Sequence, residues 1–131
     1  RMVQTQQWLC PIQADKRVDG AFYSPSQDRI VVPMKAQFNI GSSPEETYRG
    51  GMEYYSTMLH EMTHSTMTPE RLNRETGGRF GDPKYAKEEL VAELTAAMIS
   101  HSMGPPGQAA AGTRRAAVPG QERPTGPVGC R

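Results

Sequence analysis

The sequence predicts an α+β fold in which a small antiparallel hairpin or sheet packs on two helices. Three observations predict it. Two short β-prone runs flank a turn-rich pentapeptide between residues 21 and 32. A strong helix start at Ser43 opens a run reaching about Thr66. A second start at Asp82 opens a glutamate-bearing run reaching Met103. These elements place the fold in residues 1–103 of the 131-residue chain.

The hairpin is read from Ala21-Phe22-Tyr23 and Arg29-Ile30-Val31-Val32, with Ser24-Pro25-Ser26-Gln27-Asp28 supplying turn chemistry between them. Trp8 and Leu9 are expected to begin an earlier strand. Ser43 is placed to cap a helix, Pro44 suits its first position, and Glu46 completes a capping box. Gly50-Gly51 is expected to interrupt this helix before it resumes at Met52. Thr68-Pro69-Glu70 has the form of a short additional helix start. Residues 77–81 read as a glycine loop, and Asp82-Pro83 as the cap of a helix that stops at Gly104. Residues 104–131 are rich in proline and glycine and have no aromatic residue, so they are expected to be a disordered, low-complexity tail. A basic tail using Arg114, Arg115 and Arg123 is the lesser reading of this segment.

Lys and Arg total 15 against 14 Asp and Glu, a balance that argues against wrapping nucleic acid by charge alone. Cys10 and Cys130 are the only cysteines, and without a Cys-x-x-Cys they form neither a disulfide framework nor a thiolate metal site. They are read as free thiols in a reducing compartment. No apolar run has signal-peptide or membrane length, and the expected location is cytoplasmic. The opening Arg1 suggests a piece of a longer chain.

The run His60-Glu61-Met62-Thr63-His64 carries the chemistry. Residues four apart lie on one face of a helix, so both imidazoles can reach one ion. Zn²⁺ accepts imidazole nitrogen and keeps an open position when three protein groups bind it. Glu61 sits one step round the helix, where a general base is needed. Tyr55, Leu59 and Met62 are expected to supply an apolar stripe for the opposite face. The competing reading is a polar helix face with two solvated histidines.

Met67 and Glu70 stand where a metzincin needs glycine and a third histidine, so the third ligand must come from elsewhere. Glu89 and Glu93 lie one turn apart in the Asp82-started helix, with Ala92 and Ala96 leaving room for close packing. Glu89 is assigned to the metal, and Glu93 to a hydrogen bond with a ligand histidine. The swapped assignment and a ligand role for His101 stay open, as does a solvated glutamate face beside Lys84 and Lys87.

The reaction these residues predict is hydrolysis of a peptide bond, with the metal polarising the carbonyl and Glu61 moving the proton. Tyr23, Tyr54, Tyr55 and Tyr85 are oxyanion-binding candidates by residue type alone. Tyr23, on a hairpin able to hold an extended peptide by strand addition, and Arg79, in the glycine loop, are the candidate substrate-binding residues.

Four segments in order carry a family resemblance. They are Ala21-Phe22-Tyr23-Ser24-Pro25 with Asp28-Arg29-Ile30; Tyr54-Tyr55 through His64; Gly77-Gly78-Arg79-Phe80-Gly81-Asp82; and residues 85–94. Over about residues 6–103 the chain resembles the zincin-like metallopeptidase domain of ArdC-type antirestriction proteins, also found in TraC-type conjugative primases. The resemblance implies a zincin-like fold, a zinc cofactor and a mobile-element setting. It also implies a fuller protein whose N-terminal domain binds single-stranded DNA, so that this segment would meet DNA only through that domain. Met67 stands where the family commonly has glycine. The implied function is a zinc peptidase acting on a protein or peptide. The alternative is a non-catalytic antirestriction or DNA-transfer module in which zinc is structural.

Overall fold

The computed structural model describes residue 5, residues 7–77 and residues 81–103. The expectations for Arg79 and for the tail at 104–131 lie outside the described residues.

Among the described residues the fold is α+β: a three-stranded sheet and two long helices, with one helix between the sheet and the other helix. Strands β1 (Ile12–Gln13), β2 (Phe22–Ser24) and β3 (Arg29–Val31) lie in the order β1-β3-β2. The predicted hairpin forms as β2 and β3, antiparallel, with Tyr23 opposite Ile30. β1 adds in parallel on the other side of β3, with Ile12 opposite Ile30, so the sheet is mixed. The strand expected at Trp8 and Leu9 falls at Ile12–Gln13 instead. Trp8 is held by its indole, which donates to Ser65 Oγ at 3.0 Å, and the Leu9 side chain is exposed.

A 3-10 turn at Lys35–Phe38 leads to α1, which spans Pro44–Ser65. Ser43 Oγ accepts from the Glu46 amide at 3.1 Å, as the cap reading requires. Gly50-Gly51 does not interrupt the helix. A Cβ at Gly50 would lie 2.7 Å from the Phe38 carbonyl oxygen, so this glycine lets the 3-10 turn approach the helix backbone. No helix forms at Thr68-Pro69-Glu70. Turns closed by amides of Arg71 and Asn73 on the Thr68 carbonyl take that segment. Helix α2 spans Pro83–Ser102, capped by Asp82 through the Lys84 amide at 2.8 Å.

The apolar core lies between the sheet and α1. Cys10, Ile12, Tyr23, Ile30 and Val32 meet Tyr54, Met58, Met62 and Met67 there. The core stripe on α1 is therefore Tyr54-Met58-Met62. Tyr55, expected in it, is about half exposed, with the Lys35 ammonium 5.3 Å from its ring centroid. Leu59 packs at the margin. Met67, where the resembling family has glycine, is buried in this core. Ala92 and Ala96, both fully packed, line the approach of α2 to α1. Among the described residues no helix is long and apolar enough to cross a membrane.

Candidate metal centre

The last turns of α1 carry polar groups into the interior. His60, Glu61 and His64 are 3, 3 and 2% exposed, as buried as Met58 and Met62 of the same helix. Buried polar groups at this density must be satisfied. The partners come from α2, whose Glu88, Glu89 and Glu93 meet the two imidazoles.

Each ring is held at its outer nitrogen. His60 Nδ1 lies 2.8 Å from Glu93 Oε1, and His64 Nδ1 lies 3.1 Å from Glu88 Oε1. A carboxylate only accepts, so both Nδ1 atoms carry the hydrogen, and in the neutral rings both Nε2 atoms present lone pairs. Those two Nε2 atoms face each other at 3.0 Å. Glu89 closes the triangle, with Oε2 3.4 Å from His60 Nε2 and Oε1 3.1 Å from His64 Nε2. Glu89 Oε1 makes no well-aligned hydrogen bond despite that short distance. The three groups thus converge on a common centre.

The donor set fits a cation. Zinc with bonds of about 2.0–2.1 Å in tetrahedral geometry places its ligand atoms roughly 3.3 Å apart. The separations found here, 3.0, 3.1 and 3.4 Å, bracket that value. His60, His64 and Glu89 form a group able to hold a metal ion. Without a cation the same carboxylates favour protonated rings, and a bound metal would displace those protons. Burial works against charge on His60, but hydrogen bonds to Glu89 and Glu93 outweigh it and lift its pKa to about 9. His64 is raised in the same way by Glu88 and Glu89. Burial likewise opposes charge on Glu89, and the two histidines outweigh it and hold its pKa near 2. Glu61, also buried, contributes to the raised pKa of both imidazoles through its charge.

Two groups that the sequence reading did not assign complete the site. Glu88 is 4% exposed and is gripped by Arg74, whose Nε and Nη2 donate to its two oxygens at 2.8 Å each. Arg74 also donates to Thr66 Oγ1 and to the Thr63 carbonyl in the end of α1. No spacing rule singles out Arg74, which lies in an irregular loop. Glu88 could have been found as the one glutamate that shares the buried face of α2 with Tyr85, Ala92 and Ala96.

Other candidates fall elsewhere. His101 is exposed and outside the cluster. Tyr23, expected to touch substrate, is wholly buried, and its hydroxyl donates to Asp28 Oδ1 at 2.6 Å. Burial and that carboxylate raise its pKa, so it stays a neutral core donor. Tyr54 is in the core, Tyr85 is buried on α2, and Tyr55 lies under Lys35.

A family profile of zincin-like metallopeptidases (MPTase-PolyVal) matches residues 6–112. Two Escherichia coli proteins named DNA primase TraC are 42% and 40% identical to the chain over 96 residues. Each match covers 71% of this chain but only 8% and 6% of the primase. The uncharacterized protein y4eC of Sinorhizobium fredii is 35% identical over 101 residues, covering 76% of this chain and 30% of that protein. The chain thus spans a small part of the relatives it matches. No solved structure matches it. On the strength of the profile match across most of its length, the chain belongs to the zincin-like metallopeptidase family.

Proposed function

We propose that this domain is a zinc-dependent peptidase, with His60, His64 and Glu89 as the metal ligands and Glu61 as the general base. The observation that carries the reading is the convergence of two imidazole lone pairs and a carboxylate at 3.0–3.4 Å, with Glu61 buried beside them. When bound, zinc supplies Lewis acidity, polarising a scissile carbonyl and making water a better acid.

The chain's own residues do the rest. Glu93 and Glu88 hold the two rings by their Nδ1 hydrogens and keep both Nε2 atoms aimed inward. Glu61 takes the proton of the attacking water on its carboxylate and delivers it to the departing amine. The substrate is a protein or peptide. β2 is an edge strand of the sheet and could pair with an extended segment of it.

The relatives named DNA primase TraC favour a DNA-linked setting, and the proposal extends this to a mobile element, with an antirestriction role in the cytoplasm. Single-stranded DNA would be met through another part of a longer protein. A second reading has one observation in its favour. Both histidines and Glu61 are almost closed to solvent, as in sites where zinc is a structural staple and the module works by contact.

The test is Glu61→Gln. A peptidase loses about 100- to 10,000-fold in peptide hydrolysis while keeping its zinc. If antirestriction activity survives intact with zinc retained, the contact reading replaces the peptidase one.

A further inference from the structure

We infer that Arg74 is a positioning residue of the metal centre, acting through Glu88 on His64. The inference rests on the metal reading above and extends it by one residue. Arg74 is 22% exposed and reaches the metal side of α1 from the loop that follows the helix. Its guanidinium makes four hydrogen bonds, none longer than 2.9 Å. Two go to the oxygens of Glu88, one to Thr66 Oγ1 and one to the Thr63 carbonyl. Two donors on two oxygens fix the plane of the Glu88 carboxylate, which a single contact cannot do. Glu88 Oε1 is also the atom that His64 Nδ1 meets. The orientation of that ring, and so the direction of its Nε2 lone pair, is passed from Arg74 through one shared oxygen.

The alternative is that Arg74 is only a helix-end clasp. Arg71 provides the comparison. It lies three residues earlier in the same loop and donates to the Ser65 carbonyl at 2.6 Å, also at the end of α1. Its carboxylate partner is Asp28 on the hairpin turn, which touches no metal-ligand candidate. A clasp should affect stability from either position. Only Arg74 should affect the metal.

The experiment compares the wild-type chain with Arg74→Lys, Glu88→Gln, their double variant and Arg71→Lys. Zinc affinity is read by competition with a chromophoric chelator, and ligand geometry by the visible spectrum of cobalt(II) in the same chains. Lysine keeps the charge and loses the fork, so folding should survive, and circular dichroism checks it. Arg74→Lys and Glu88→Gln should each weaken zinc binding about 10–100-fold and shift the cobalt bands. The double variant should stay within about twofold of the weaker single, because both act in one chain of contacts. Arg71→Lys should leave affinity and bands unchanged while lowering the unfolding midpoint. Unchanged affinity and bands in Arg74→Lys, or equal effects in the two arginine variants, overturn the inference while the metal reading stands. Failure of the wild-type chain itself to bind zinc overturns both.

Discussion

Arg71 and Arg74 are three residues apart, in one loop, closing one helix end, yet they serve different halves of the molecule. Arg71 donates to the Ser65 and Leu9 carbonyls and pairs with Asp28 at 2.8 Å, tying the N-terminal segment and the hairpin turn to α1. Arg74 donates to the Thr63 carbonyl and pairs with Glu88, tying α2 to α1. Each satisfies carbonyls left over at the end of the helix, where a positive charge also suits the dipole. The difference lies in what the bound carboxylate touches next. Asp28 accepts from a core tyrosine, whereas Glu88 meets a ligand histidine. One device can thus act as a fold clamp or a site support, depending on the next contact.

Glu93→Gln should sharpen the comparison most. Glu93 does for His60 what Glu88 does for His64. Its loss is expected to weaken zinc binding by about 10–100-fold, measured by chelator competition. An effect no larger than that of Arg71→Lys would break the proposed division between clamp and support. On the clamp side, Arg71→Met should cost about 1–3 kcal/mol in urea unfolding of the metal-free chain, since it leaves the Ser65 carbonyl and Asp28 without their donor. Any accompanying loss of zinc affinity would show that the two clamps are coupled.

Asp28 offers a smaller, pH-dependent test. The Arg71 hydrogen bond holds its pKa below 3.8, outweighing burial, and the Tyr23 hydroxyl adds to this. A carboxylate lowered in the folded state contributes stability that is fully present above 3.8 and is lost as pH falls through the folded value. Asp28→Asn should therefore flatten the acid limb of the wild-type stability profile, read as urea midpoints between neutral pH and pH 3. An unchanged slope would remove Asp28 from the account. At the far end of α1, Gly50 and Gly51 should act on stability alone. Gly50→Ala is expected to destabilise the chain by contact with the Phe38 carbonyl. Gly51→Ala, which meets only the Lys35 side chain at 3.8 Å, should add about 0.5–1 kcal/mol.

The site was legible in the sequence where it is local. His60, Glu61 and His64 lie within one helical turn, so spacing alone places them on one face. Glu89 and Glu93 could be reached because a cap, a helix and two alanines mark the packed side of α2. Glu88 escaped assignment because it is one of two adjacent glutamates, and only the packing of α2 on α1 decides which nitrogen each meets. Arg74 was out of reach because loop residues carry no periodicity.

The fold shows the same division. The Ser43 and Asp82 caps and the hairpin were readable from short-range chemistry. β1 is two residues long and is defined only by its pairing with β3. The Thr68-Pro69-Glu70 start signal was overridden by long-range partners, because Arg71 is drawn to Asp28 and Leu9 and the chain turns there instead. Tyr54 and Tyr55 differ by one position, and the sheet, not the residue type, decides which is core.

The most direct test of the central claim is the zinc content of the folded chain by native mass spectrometry, beside His60→Ala. The account predicts about one zinc per wild-type chain, lost in the variant. A wild-type chain that stays metal-free after zinc is added to the folded protein, or a His60→Ala chain that keeps its zinc, would contradict it.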